Sequence, residues 1–423
     1  MRYLDRASFV LAFTSAASIL FSIAVSQILL ALALAALLAS RRPLRFPPLR
    51  APLACFFLIT VAALLASPDP AAGLPQIRKF FVFAILLVIY STFENLRQVR
   101  ALIAAWVAIA AISGLIGVVQ YLHRRQESNT YEFLLDGRIT GLASHWMTFG
   151  GEQMIVILML ASCVLFCRGR LLKVSGWPVL CGLLAVVALG MTRCVFLLGV
   201  PAGLAYLIWR HRPILFFAAV PALLAAALLA PNAIRERALS AVHPRADFES
   251  SAHRAVCRAV GWEMVKAHPW LGLGPEQIAR QFDRYVPTRI PRPLPQGWYG
   301  HLHNIYFQYA AERGIFALIA ILWLIGHQAH DFLRTLRRAT DPNLQAMLHG
   351  AIAVTVAVLA EGFFEYNLGD SEVLTMFLSV VACGYVAIRA RAASPPETDT
   401  PAPIRIARST PLRYVGVPAL PRN

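Results

Sequence analysis

The sequence predicts an all-α fold: a polytopic membrane helix bundle of about 12 transmembrane helices with a large helical loop on the non-cytoplasmic side. Three observations carry this. Apolar residues make up 58% of the 423 and charged residues only 14%, where a soluble domain would carry nearer a quarter. Apolar runs of about 17 to 25 residues recur, each long enough to cross a hydrocarbon core. The formal net charge of +17, almost all of it arginine, gathers between those runs.

Basic residues concentrate in cytoplasmic loops, so their placement orients each run. Arg2 and Arg6 precede the first run, and Arg41, Arg42, Arg45 and Arg50 follow it. That run, roughly 8–40, is too long for one crossing and has basic ends, so it reads as a hairpin turning near Ser22–Gln27. The same logic makes a hairpin of Val174–Trp209, between Arg168, Arg170, Lys173 and Arg210, Arg212. Its one interior charge, Arg193, then falls at the non-cytoplasmic turn. Further crossings are expected at about 52–67, 79–93, 99–121, 146–166, 213–230, 303–326, 345–365 and 371–389, with both termini cytoplasmic. The chain thus divides into residues 1–230 with nine crossings, a loop at 231–302, three crossings at 303–390 and a tail at 391–423. The tail is rich in Pro, Thr and Arg with little to bury, and is expected to be disordered. The first apolar run lacks a cleavage site and is not expected to be a cleaved signal.

Seven cysteines are an odd number, and all but Cys257 lie in or beside apolar runs, which is neither a disulfide framework nor a metal pattern. There is no HExxH, no glycine-rich phosphate loop and no nucleotide-binding fingerprint. No cofactor and no nucleic acid is expected, and the energy for any reaction would come from an activated substrate.

The loop holds ten basic residues against six acidic ones, which suggests an anionic partner. Ala252–Ala267 reads as a helix stopped by His268-Pro269, and Trp270-Leu271-Gly272-Leu273-Gly274-Pro275 as a tight turn. A second helical patch is expected from Pro275 to Tyr285. The proline-rich stretch 287–295 then returns the chain to the membrane, so the loop reads as a short helical lid.

The stretch from Gly300 to Gly314 places His301, His303, Asn304 and the Glu312-Arg313 pair at the mouth of an apolar segment. Ionisable groups at membrane depth usually face an interior or an aqueous cavity and act there. Asn304, Gln308 and Glu312 recur every four residues and share one helix face, an interior polar stripe. Gly314 is expected to allow close approach. Glu361, Glu365, Asp370 and Glu372 cluster near the last non-cytoplasmic turn, where they could orient His303, brace an arginine or coordinate a cation.

At these residues the chain resembles the O-antigen ligase and polymerase superfamily, integral-membrane glycosyltransferases that use polyprenyl-diphosphate-linked glycans. Four stretches carry the likeness in order: Gly137-Arg138-Ile139-Thr140-Gly141 with His145 and Thr148–Gly151; Thr192-Arg193; Arg254 followed by His268–Pro275; and His303-Asn304 with Glu312-Arg313-Gly314. Cys194 departs from the pattern, where a small residue such as glycine is commoner. The resemblance implies a bacterial inner-membrane protein, with membrane lipids around it and a site facing the periplasm. It implies His303 as catalytic base and Arg193 and Arg254 as diphosphate ligands. Arg138, Asn304 and His301 are further substrate-binding candidates.

The chemistry of these residue types agrees. A glycosyl diphosphate is already activated; the protein must take a proton from the acceptor hydroxyl and meet the charge on the leaving diphosphate. Neutral histidine suits the first task and arginine's planar fork the second. The expected activity is therefore that of a glycan ligase, moving an oligo- or polysaccharide from a polyprenyl (undecaprenyl) diphosphate to an acceptor hydroxyl such as lipid A core, inverting and metal-independent. The acceptor stays open between lipid A core in a ligase, a growing glycan in a polymerase, and a protein in an O-oligosaccharyltransferase. A transporter of a small anion or lipid-linked sugar would more often show internal repeats and helices broken near mid-membrane; the sequence has neither.

Overall fold

The computed structural model describes residues 2–215, 217, 232–239 and 250–393. All regular structure among them is helical. The helices are α1 (Arg2–Ser18), α2 (Ile23–Ala39), α3 (Arg50–Leu65), α4 (Pro70–Arg78), α5 (Ala84–Thr92), α6 (Leu96–Glu127), α7 (Trp146–Phe166), α8 (Arg170–Leu189) and α9 (Val200–His211). They continue with α10 (Asn232–Leu239), α11 (Ser250–Ala267), α12 (Ile305–Leu336), α13 (Pro342–Glu361) and α14 (Ser371–Ala393). Eight segments among the described residues are long and apolar enough to cross a membrane, and Ile23–Ala39 and Arg50–Leu65 are shorter apolar helices. Most of the expected crossing at 213–230, and the tail beyond Ala393, lie outside the described residues.

The first hairpin forms as α1 and α2, but it turns at residues 19–22, just before the expected Ser22–Gln27, because Ser22 already caps α2. Two buried serines clasp it: Ser15 Oγ donates to the Ser26 carbonyl at 2.8 Å, and Ser26 Oγ to the Ser15 carbonyl at 2.9 Å. Small hydroxyl residues let apolar helices approach and exchange hydrogen bonds in a medium that offers no others. The second hairpin is α8 and α9, turning through residues 190–193, with a π-helical turn at Cys194–Gly199 leading into α9. Lys79–Phe83 forms a 3₁₀ turn that joins α4 to α5, so this crossing begins nine residues before the expected 79, at Pro70. Asp69 caps it, accepting from the Ala72 N–H at 3.2 Å.

Helices α7, α13 and α14 are apolar on nearly every side and form the centre of the bundle. On α6, by contrast, Ile112, Leu115 and Val119 point outward and are exposed, a face suited to lipid. Helix α12 runs ten residues past the expected end at 326. Its polar continuation is satisfied by neighbours: Gln328 donates to Thr355 Oγ1 at 2.8 Å, and Asp331 accepts from Tyr385 at 2.8 Å. Hydropathy located the apolar part of that helix, whereas partner side chains extended it.

Beyond the bundle, α11 packs its own small core, in which Val256, Val260, Met264, Leu273, Ile278 and Phe282 meet Leu302 and Ala311. The expected helical patch at Pro275–Tyr285 shrinks to one turn at Ile278–Gln281 and a 3₁₀ turn at Phe282–Tyr285. The residues just before it dock the loop instead. Leu273 N–H donates to the Ala311 carbonyl at 2.8 Å, Gly274 N–H to the Glu312 carbonyl at 2.9 Å, and Ile315 N–H to the Pro269 carbonyl at 2.8 Å. These main-chain bonds join the tight turn to α12 at a kink, where Gly314 adopts φ 78° and ψ 172°. Gly314 therefore admits the turn's backbone rather than a neighbouring helix, since a Cβ there would overlap the Trp270 carbonyl.

Candidate functional site

The cavity with the site residues, about 610 Å³, lies where α7 and α14 begin and α13 ends, beneath the loop. Its lining includes Arg138, His145, Trp146, His253, Arg254 and Trp298, with His301, His303 and Glu365 at its centre. Of the six site residues expected from sequence, Arg138, Arg254, His301 and His303 line it. Arg193 and Asn304 do not.

His303 is held from two directions. Its backbone sits at φ 47°, a left-handed conformation uncommon outside glycine, with its N–H donating to His301 Nδ1 at 3.2 Å. Its Nδ1 lies 3.3 Å from both oxygens of Glu365, and its buried Nε2 has no hydrogen-bond partner among the described residues. A carboxylate can only accept, so Nδ1 carries the proton and Nε2 keeps a lone pair.

Glu365 also pairs with Arg254 Nη2 at 3.3 Å. Burial works against its charge, but His303, Arg254 and His301 outweigh that and hold the carboxyl down at about 2. In the neighbouring rings the charged form is instead disfavoured. Burial, then the proximity of His303, lowers His301 to about 4, and the same two causes lower His253 to about 4. His303 is thus flanked by two uncharged imidazoles, at ring separations of 4.0 Å (His301) and 5.1 Å (His253).

The arginines converge from four separate segments. Arg193, at the second hairpin turn, donates to Ser251 Oγ at 3.2 Å, one helical turn before Arg254 on α11. Arg138 stacks on Trp146, 3.2 Å from the ring centroid, and donates from Nε to the Leu135 carbonyl at 3.0 Å. Arg237 on α10, not singled out by the sequence, is buried and donates to the Met191 carbonyl at 3.1 Å, beside the same turn. Burial first, then Arg237 and Arg254, lowers Arg138 to about 9 and Arg193 to about 10. Cations that depress one another in this way lie close together in a buried region. The Nε of Arg254 is buried with no hydrogen-bond partner among the described residues.

Asn304 has a different occupation from the substrate contact expected of it. Its oxygen caps α12, accepting from the Phe307 N–H at 2.9 Å, and its amide donates to the Phe363 carbonyl at 2.9 Å. The polar stripe proves to be a set of backbone acceptors. Gln308 takes the Leu302 N–H at 2.8 Å, and Glu312 takes the Glu276 N–H at 3.1 Å. Arg313 ties α12 to α4 through Gln76, at 2.8 Å.

Of the four acidic residues near the last turn, Glu365 both orients His303 and braces Arg254. Asp370 accepts from Thr148 at 2.5 Å and caps α14 through the Glu372 N–H at 2.9 Å, and Glu361 accepts from Asn367 at 3.0 Å. Among the described residues, the group with metal-ligand spacing is instead His301, His303 and Glu365, whose ligand atoms lie within 4.8 Å of one another.

The O-antigen ligase family model matches residues 177–322. The match contains Arg193, Arg254, His301, His303 and the Gly272–Gly274 turn; Arg138 and Glu365 lie outside it. No curated protein matches the sequence.

Proposed function

We propose, from the match of residues 177–322 to the O-antigen ligase family model, that this chain transfers a glycan from a polyprenyl diphosphate to an acceptor hydroxyl at the periplasmic face of the membrane. The observation that carries the reading is His303, with Nδ1 on Glu365 and a bare Nε2 in the cavity beside Arg254. Nε2 takes the hydroxyl proton as the acceptor oxygen bonds to the anomeric carbon. The bond from that carbon to the diphosphate oxygen breaks, and the diphosphate leaves with the electron pair. His303 is left as imidazolium, stabilised by Glu365, and later returns its proton to solvent or to the departing diphosphate. A single in-line displacement inverts the anomeric carbon.

Arg254 and Arg138, which line the cavity, meet the diphosphate, and Arg193, held on Ser251 one turn before Arg254, extends the same cationic wall. The arginine-rich ends of the bundle support the orientation, because the cavity opens at the end opposite to them. The same machinery would serve a glycan polymerase or a protein O-oligosaccharyltransferase with a different acceptor.

The test incubates purified protein with a polyprenyl-diphosphate glycan and candidate acceptors. His303→Ala should lower turnover by about 10²- to 10⁴-fold with donor binding intact. The His301→Ala variant should be milder. Loss in the His301 variant with retention in the His303 variant would reverse the assignment.

A further inference from the structure

The tight turn at 270–275 carries a ring that the cavity does not use. Trp270 is 63% exposed, and its indole N–H has no hydrogen-bond partner among the described residues. It is nevertheless fixed in place. The ring stacks on Phe316 of α12, with centroids 5.6 Å apart and planes at 23°, and its backbone is clamped against the Gly314 kink.

The surroundings of this pair change polarity over a short distance. Ile315, Phe316, Ile319 and Trp323 are all exposed, and their spacing of three and four residues puts them on one face of α12. That helix is long and apolar enough to cross a membrane, so the face suits acyl chains. Leu65, the last residue of α3, is exposed as well. Two residues beyond it the loop docks. Gly274, at φ 100°, lies against Ser67, where a Cβ would overlap the serine side chain. There the loop's Arg280 pairs with Asp69 at 2.5 Å, with both groups open to solvent. The turn therefore has an apolar helix face at its start and an exposed ion pair where it meets the end of α3. Tryptophan is favoured at such a step between lipid and water, because its ring is apolar while its N–H can reach headgroup oxygens. Left in water, the same apolar patch would be a costly surface.

We infer that Trp270, with Leu271 and Phe316, lies at the headgroup boundary of the adjoining leaflet and anchors the loop to the lipid bilayer. Helix α11 ends at Ala267, three residues before Trp270, so the bilayer then helps to hold the helix that carries Arg254.

The test reads Trp270 by difference. Wild type and Trp270→Phe are reconstituted in vesicles of phosphatidylethanolamine and phosphatidylglycerol, and the difference between their tryptophan emission spectra is the Trp270 signal. Trp270→Leu supplies the same difference with the aromatic stack removed, so the reading does not hang on one variant. The signal should be blue-shifted and should lose at least about half its intensity when the lipid is brominated high on the acyl chain, and little to aqueous acrylamide. Stronger quenching by acrylamide than by bromine would show a water-facing loop and overturn the proposal. Stronger quenching from bromine at the chain ends would place the ring in the bilayer interior and overturn the boundary position. Protection from both quenchers would also overturn it, because a second copy of the chain or another protein would then cover this face.

Discussion

Glu365 sits 3.3 Å from the Nδ1 of His303 through both carboxylate oxygens, although 62 residues separate the two in sequence. One oxygen is also 3.3 Å from Arg254. A single buried carboxylate therefore sets the tautomer of His303 and the position of the nearest arginine. Orientation of this kind normally accounts for a large part of what a catalytic histidine achieves.

Replacing that carboxylate should separate catalysis from binding. Glu365→Gln should lower kcat by about 10²-fold or more while donor KM changes by less than about threefold. Because Glu365 is held near 2, its own titration is not the acid limb of the rate profile. An unchanged kcat would mean that Glu365 is only structural.

Arginine geometry should matter beyond its charge. Arg254→Lys and Arg193→Lys should each lose activity by roughly 10- to 100-fold, since lysine keeps the charge but not the two-pronged fork. Arg193 is fastened to Ser251, so its loss should also loosen the first turn of α11. Wild-type turnover in both lysine variants would place the diphosphate elsewhere.

The docking of the loop on α12 has its own test. Gly314, at φ 78° and ψ 172°, occupies a region that only glycine adopts readily. Gly314→Ala should destabilise the protein by about 1–3 kcal/mol or more, and should lower the melting temperature in detergent. Gly326, on the same helix, faces open space where a Cβ would stand and is the control. Gly326→Ala should be neutral or stabilising by about 0.5–1 kcal/mol. Equal melting temperatures for the two variants would show that the kink does not depend on glycine.

Chelation addresses the leaving group. The proposed reaction meets the diphosphate charge with arginine rather than with a divalent ion, so turnover in excess EDTA should stay within about twofold of its starting rate. A collapse restored by magnesium or manganese would refute this. The ligands would then be sought in His301, His303 and Glu365 rather than in Glu361, Asp370 and Glu372.

Hydropathy and arginine placement along the chain were enough to establish a helical membrane protein, both hairpins and the helix at 146–166, and they drew notice to the stretch that holds His301 and His303. Those signals are local: an apolar run or a basic cluster is legible wherever it occurs, because lipid and water act on each segment independently. Partnership is not local. That Glu365 meets His303, that Arg237 joins the arginine wall and that Asn304 caps a helix all depend on side chains meeting across the bundle, as Gln76 meets Arg313 across 237 positions. The tight turn at 270–275 was legible from its glycines, but its partner was not, since its bonds to α12 are made by backbone groups that every residue carries. Residue types in their order along the chain limit the chemistry it can hold and the end of the bundle that holds it. Which carboxylate and which arginines surround the His303 ring is chosen by packing, because those contacts join segments that have no signal of one another in sequence.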